Sequence, residues 1–183
     1  SPNIHSINQI LKASHRAKDL VKQILAFSRQ VEDQKIPVHP AAIVKEAITL
    51  LRSSLPVTIT IEQDIDPDAG SVLADPTQFH QIVMNLCTNA FHAMEAKGGT
   101  LTIALQTIIL SQDEKASEPD LQPGRFVQLS IKDTCEGIPQ EIKERIFDPF
   151  FITKEVGKGT GLGLSMVYSI VKSSGGSITC ESC

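Results

Sequence analysis

A chain of 183 residues and 19.9 kDa, 41% hydrophobic, 21% charged and 4% aromatic, has the apolar content of one globular domain plus an appended element, which excludes disordered, collagen-like and membrane classes. Seventeen Lys and Arg against 21 Asp and Glu leave a formal charge of -4, so no global positive field favours nucleic acid or acidic lipid, and a small anion needs a local site. The apolar runs are far shorter than the roughly 20 residues of a membrane span, and no charged-then-apolar leader opens the chain, so direct membrane contact is not expected.

Between residues 4 and 31, apolar residues recur at Ile10, Ala13, Ala17, Leu20, Ile24, Phe27 and Val31 with no Gly or Pro among them. This spacing predicts an amphipathic helix. Leu11, Val21 and Leu25 widen its stripe toward a bundle face, whose partner is another copy or a segment outside this sequence. Packing on the chain's own globular part is the alternative. Pro37 and Pro40 close the helix and predict a short linker.

Further elements follow in order: a helix over Pro40–Ser54, a β-branched alternating strand over 57–62, and a turn-rich stretch at 64–70. Asp75-Pro76 reads as an N-cap with Pro at the first helical position, opening a long helix through Met94 that ends near Gly98-Gly99. Strands over 100–110 and 125–132, joined by a polar hairpin connection, precede a short helix at 139–146 and a longer one at 160–174. Residues 177–180 read as the start of a last strand, and a chain that opens beside a helical pattern and stops there reads as a piece of something longer. The pattern predicts helices beside a mostly antiparallel sheet, a two-layer α/β arrangement.

Cys87, Cys135, Cys180 and Cys183 form no dense framework, so a reducing compartment is the easier reading. Cys180 and Cys183 make one C-x-x-C, but zinc needs two further ligands and none stands nearby.

Four features carry chemistry. Gly157, Gly159, Gly161 and Gly163 run into an apolar helix, where close-approaching N–H groups and a positive helix end suit phosphate. The spacing fits neither G-x-G-x-x-G nor G-x-x-x-x-G-K-[ST], and a merely flexible loop is the plainer alternative. Asn85 and Asn89 stand at i and i+4, with His92 one turn further. Carboxamides among Ile82, Val83, Leu86 and Phe91 need partners, which nearby backbone, or a Mg-nucleotide, would supply. Asp133 ends a strand before a turn; it either caps the turn or accepts from an exocyclic amine such as that of adenine. The aromatic segment 146–154 leads into the glycines with Lys154 at its end, as expected of a lid whose cation reaches phosphate.

In this order and spacing, Asn85-Leu-Cys-Thr-Asn89-Ala, Asp133-Thr-Cys-Glu-Gly137-Ile138, Phe147-Asp-Pro-Phe-Phe151 and Gly157 to Gly163 resemble the N, first glycine, F and second glycine boxes of bacterial sensor histidine kinases. That family shares a superfamily with type II topoisomerases, mismatch-repair ATPases and a heat-shock chaperone. Residues 10–30 are similar to the second helix of the family's dimerisation and phosphoacceptor hairpin. The resemblance implies an α+β Bergerat ATP-binding fold over residues 36–183, a two-layer sandwich with a mixed, mostly antiparallel sheet and a truncated last strand, behind a partial hairpin at 1–35. It also implies ATP and Mg²⁺ as cofactors.

By the same resemblance Asn89 is the metal ligand and Asn85 lies near the metal and its water, while His92 and Lys154 approach the phosphates. Asp133 reads the adenine amine and Gly137 lets the base come close. Ile138, Phe147, Gly159, Thr160, Gly161, Leu162 and Gly163 complete the nucleotide contacts. Phosphoryl transfer to a histidine is implied, with relay to an aspartate of a response regulator receiver domain. A homodimer through the hairpin helix is implied too, in the cytoplasm or on the cytoplasmic side of a membrane-anchored sensor. An Asn at position 85 cannot act as a general base, which disfavours the hydrolase branch.

Two departures stand out. Cys135 replaces the first Gly of the Asp-x-Gly-x-Gly pattern, which leaves a nucleotide-impaired or nucleotide-sensing interaction module as the alternative function. None of His5, His15, His39, His80 and His92 has the context of a phosphoacceptor, so the acceptor is expected before Ser1.

Overall fold

The structure, a computed structural model, describes residues 35–54, 56, 58–111, 121–153 and 160–182. The predicted bundle helix lies outside these residues. Described in chain order are β1 (Ile36–Val38), α1 (Pro40–Ser54), β2 (Ile59–Ile65), β3 (Val72–Ala74), α2 (Pro76–Met94), β4 (Gly99–Leu110), β5 (Gly124–Asp133), a 3-10 helix (Gln140–Arg145) and α3 (Gly163–Ser173).

Alternation along β4 builds the core. Leu101, Ile103 and Leu105 point to one face and are fully buried, each contributing on the order of 2 kcal/mol through removal of apolar surface from water. The opposite face is polar: Gln106 Nε2 donates to Gln128 Oε1 at 2.7 Å across the β4–β5 pair. β4 is the middle strand of the order β2-β4-β5. It runs parallel to β2, from Ile59↔Gly99 to Ile65↔Leu105, and antiparallel to β5, from Leu101↔Asp133 to Leu110↔Gly124. A parallel pair requires a crossover, and α2 lies on that crossover.

The helices cover the apolar face. Val44, Ala47, Ile48 and Leu51 of α1 and Val83, Cys87, Ala90 and Met94 of α2 close one cluster with the β4 side chains. α2 packs against α1 on one side and α3 on the other. The expected two-layer α+β sandwich is thus observed, with two antiparallel pairings out of three among the described residues.

Several boundaries differ from the sequence reading, each for a local reason. The expected linker contains β1, which pairs antiparallel with β3 in register Ile36↔Ala74, Pro37↔Leu73 and Val38↔Val72. Pro37 is tolerated because the two-stranded ribbon leaves its missing N–H without consequence. β2 runs on to Ile65, because Asp64 faces solvent on the strand instead of opening a turn. The short helix after Pro139 is 3-10 in form and carries no side-chain cap. α3 starts at Gly163, three residues later than expected, since the left-handed φ of 68° at Gly161 cannot belong to a right-handed helix. Residues 177–180 join no strand ladder among the described residues; just after them, Ser182 Oγ accepts the Ile138 N–H at 2.6 Å.

Lys35 Nζ donates to the Ser173 carbonyl at 2.9 Å, a cation on the negative end of α3. Because Ile103 is fully buried in the middle of the core strand, Ile103→Ala is expected to cost about 2–5 kcal/mol, read as a lowered urea midpoint at unchanged slope.

Candidate functional site

α2 is fixed from its first turn. Asp75 Oδ1 accepts from the backbone N–H groups of Thr77 and Gln78 at 2.7 and 3.3 Å, and Pro76 occupies the first helical position. The helix then presents Asn85 and Asn89 one turn apart, both half-buried. Against them stands the first residue of α3. A Cβ on Gly163 would lie 3.4 Å from Asn85 Oδ1 and 3.7 Å from Asn89 Nδ2, in van der Waals contact with both amides. Glycine at this position keeps the space between the amides and the helix end unfilled.

That end of α3 has the properties of an anion seat. Its cap, Leu162, is buried and supplies no side-chain hydrogen bond to the first-turn N–H groups. Such groups carry partial positive charge. Met166, one turn on, takes hydrogen bonds from Gln81 Nε2 and, at 3.9 Å, from Asn85 Nδ2. The sulfur holds the amide nitrogen of Asn85 toward α3. Gln81 was not singled out in the sequence, although its position one turn before Asn85 on the same face was there to be read.

The approach to α3 is locked to the aromatic segment. Phe150 N–H donates to the Gly161 carbonyl at 2.9 Å, and Phe150 itself has a φ of 65°, the one non-glycine residue in the left-handed region among the described residues. A Cβ on Gly161 would stand 2.6 Å from the Phe150 carbonyl carbon, so glycine is obligatory there. Phe147 packs on Tyr168 of α3 with ring centroids 5.6 Å apart, and the Arg145 guanidinium lies 4.6 Å from the Phe151 ring centre. These contacts make Phe147 a packing residue of the segment.

Asp133 closes β5 and opens a turn. Its Oδ1 accepts the Cys135 N–H at 3.1 Å, and Gly137, with φ of 82°, donates its N–H to Cys135 Sγ at 3.4 Å. Cys135 needs no left-handed backbone, and its side chain packs against the core cluster. Burial first, then the hydrogen bond to Asp133, pushes its thiol up from the ordinary range. Cys87, deep in the core, is pushed up to about 12 by burial alone. Both thiols are therefore poor nucleophiles at neutral pH.

Not all the expected residues converge. His92 is exposed, its ring 5.1 Å from that of Phe91 and its Nδ1 3.8 Å from Glu95 Oε2, which pairs it with its own helix instead of the glycine turn. Lys154, Gly157 and Gly159 lie outside the described residues. Thr160 sits at the rim, where its Oγ1 accepts the Leu162 N–H at 3.4 Å. A surface groove of about 430 Å³, lined by Lys45, Ile48, Thr49, Arg52, Gln63 and Ile65, lies between α1 and β2 and shares none of these groups.

Among the described residues no group of three or more His, Cys, Asp or Glu could hold a metal ion; an Asn oxygen together with ligand phosphates is a donor set that suits Mg²⁺. The residues present fit that ion. Among the described residues no helix is long and apolar enough to cross a membrane.

Comparison with known proteins agrees with this geometry. The profile of a family described as histidine kinase-, DNA gyrase B-, and HSP90-like ATPase matches residues 74–183. Sensor kinase CckA of Brucella abortus (strain 2308) is 40% identical over 181 residues, which is 99% of this chain and 19% of that relative; the chain spans about a fifth of its length. The catalytic domain of histidine kinase ThkA, in a nucleotide-free form, matches at TM-score 0.59 and 28% identity over 76% of this chain and 81% of that one. ThkA in complex with response regulator protein TrrA matches at TM-score 0.66 and 25% identity over 93% of this chain and 44% of that one. The chain belongs to the histidine kinase-, DNA gyrase B- and HSP90-like ATPase family, and carries the ATP-binding catalytic domain of a sensor histidine kinase.

Proposed function

We propose that the chain holds Mg·ATP between the start of α3, the Asn85 and Asn89 amides of α2 and the Asp133 turn, and passes the γ-phosphoryl to a histidine of a dimerisation hairpin. The observation that carries this reading is the seating of Gly163 against both amides, since an uncapped helix end facing two carboxamides matches a polyphosphate with one divalent ion. In the transfer, an imidazole nitrogen of the acceptor bonds to the γ-phosphorus as the bond to the β–γ bridging oxygen breaks, and ADP leaves. Relay moves the phosphoryl from that nitrogen to a carboxylate oxygen of a response regulator aspartate.

The chain's own groups divide the work. The first-turn N–H groups of α3 hold phosphate oxygens, with Gly161 and Gly163 permitting their approach; Asn89 offers its amide oxygen to the metal, and Asn85, anchored on Met166, lies beside it. When bound, Mg²⁺ would neutralise charge on the phosphate oxygens and on the departing ADP. Asn85 has no basic lone pair with which to activate water, which favours transfer over hydrolysis. Asp133 accepts from the adenine amine, with Gly137 and Ile138 beneath the base. His92 and Lys154 serve the phosphates in this reading, His92 after leaving Glu95.

A homodimer through the helix that the sequence predicts within residues 1–35, a receiver-domain partner and a cytoplasmic setting complete the proposal. The complex of ThkA with response regulator protein TrrA supports the receiver-domain partner. The ordinary backbone of Cys135 and the packing of its side chain on the core favour this reading over the alternative of a nucleotide-impaired or nucleotide-sensing module.

Two measurements check this function. Incubation with γ-labelled ATP and a supplied intact hairpin is expected to leave acid-labile label on the hairpin, and Asn89→Ala to lower the rate about 100-fold; ATP binding with no transfer to any hairpin contradicts the kinase reading. Gly163→Val, which fills the space before the amides, is expected to weaken ATP binding about tenfold or more while the far-UV spectrum stays unchanged.

A further inference from the structure

The ladder between β4 and β5 ends at Leu101↔Asp133, and a side chain makes the rung after it. Thr100 N–H donates to Thr134 Oγ1 at 3.0 Å. The same hydroxyl donates toward Met94 Sδ at 3.8 Å, so groups of the protein itself take up both of its hydrogen-bonding roles although the residue is exposed. Room for it exists because residue 99 is glycine: at its φ of 151°, a Cβ there would overlap Thr134 Oγ1 and stand 2.8 Å from Met94 Sδ. The turn beneath is itself tied down, since Gly99 N–H donates to the Thr58 carbonyl at 3.2 Å.

Asp133 sits between this rung and the turn it caps. On its far side the carboxylate Oδ1 takes the Cys135 N–H at 3.1 Å. Further along, the loop is tied by the Ile138 N–H on Ser182 Oγ at 2.6 Å and by the ion pair of Lys97 with Glu136, whose side chains are 74% and 81% exposed. Such a pair contributes little and is screened by salt. The Thr134 rung, which ties the next residue in the chain to the β4 backbone and to Met94, is the anchor directly beside Asp133.

We propose that Thr134, seated over Gly99, is the positioning residue that holds the Asp133 carboxylate at the exocyclic amine of the base and so sets selectivity for a 6-amino over a 6-oxo purine nucleotide. This rests on the reading of Asp133 given above. A hydrogen bond to a charged acceptor weakens steeply with small displacement. Releasing the rung lets the carboxylate drift and erodes the distinction between amine and carbonyl at that ring position, while the phosphate seat on α3 is untouched.

The experiment titrates this chain, with magnesium, with ATP and with inosine triphosphate, for the wild type, Thr134→Val and Thr134→Ser. Wild type is expected to favour ATP by about tenfold or more. Thr134→Val is expected to lose about three- to tenfold of that preference, chiefly through weaker ATP binding, and Thr134→Ser, which keeps the acceptor, to retain it. A preference unchanged in Thr134→Val, or lost equally in Thr134→Ser, overturns the proposal, because general destabilisation weakens both nucleotides alike. Thr134→Ala supplies the same comparison if the valine variant does not fold. A wild type that binds both nucleotides equally, or neither, removes the Asp133 reading itself and the clamp with it.

Discussion

The contact between the first residue of α3 and the two carboxamides of α2 is the joint around which the rest is arranged. Polar amides on a helix face that packs against another helix need partners, and a helix end without a side-chain cap leaves N–H groups in the same need. Setting one against the other, with only a glycine between, leaves a polar space whose natural occupant is an anion with a small hard cation. Met166 and Gln81 reinforce the joint from behind by fixing the Asn85 amide.

The sheet serves this joint by placing the Asp133 turn at a set distance from α2. β4 is central to this, since its first residues meet Thr58, Met94 and Thr134, and its middle residues fill the core beneath α2. A parallel pairing with β2 forces α2 onto the crossover, and an antiparallel pairing with β5 returns Asp133 beside the start of β4. The apolar alternation that buries Leu101, Ile103 and Leu105 thus also sets where Asp133, the carboxylate proposed to read the base, stands. Core and site share one register, and a slip of one residue would displace both.

Much of this was legible beforehand. Asp75-Pro76 announced α2, and the alternation at 100–110 announced β4, because capping and binary patterning are local signals. The asparagine pair and the glycine run pointed to a phosphate site through residue chemistry, and their order pointed to the family. What escaped has a physical reason in each case. β1 and β3 are three residues long and one contains proline, too short for a pattern to show. The Thr134 rung joins residues 34 apart, and the pairing of His92 with Glu95 depends on a rotamer that no spacing reveals. That Cys135 needs no left-handed backbone follows from a backbone angle, which its identity alone does not disclose.

Calorimetric titration of ATP into this chain, once with magnesium and once with EDTA, bears on whether the amides of α2 and the end of α3 make a nucleotide site. Metal-dependent binding in the micromolar range is expected. Binding of equal strength in EDTA, or none in either condition, would contradict the assignment of Asn85, Asn89 and Gly163 to a Mg·ATP site.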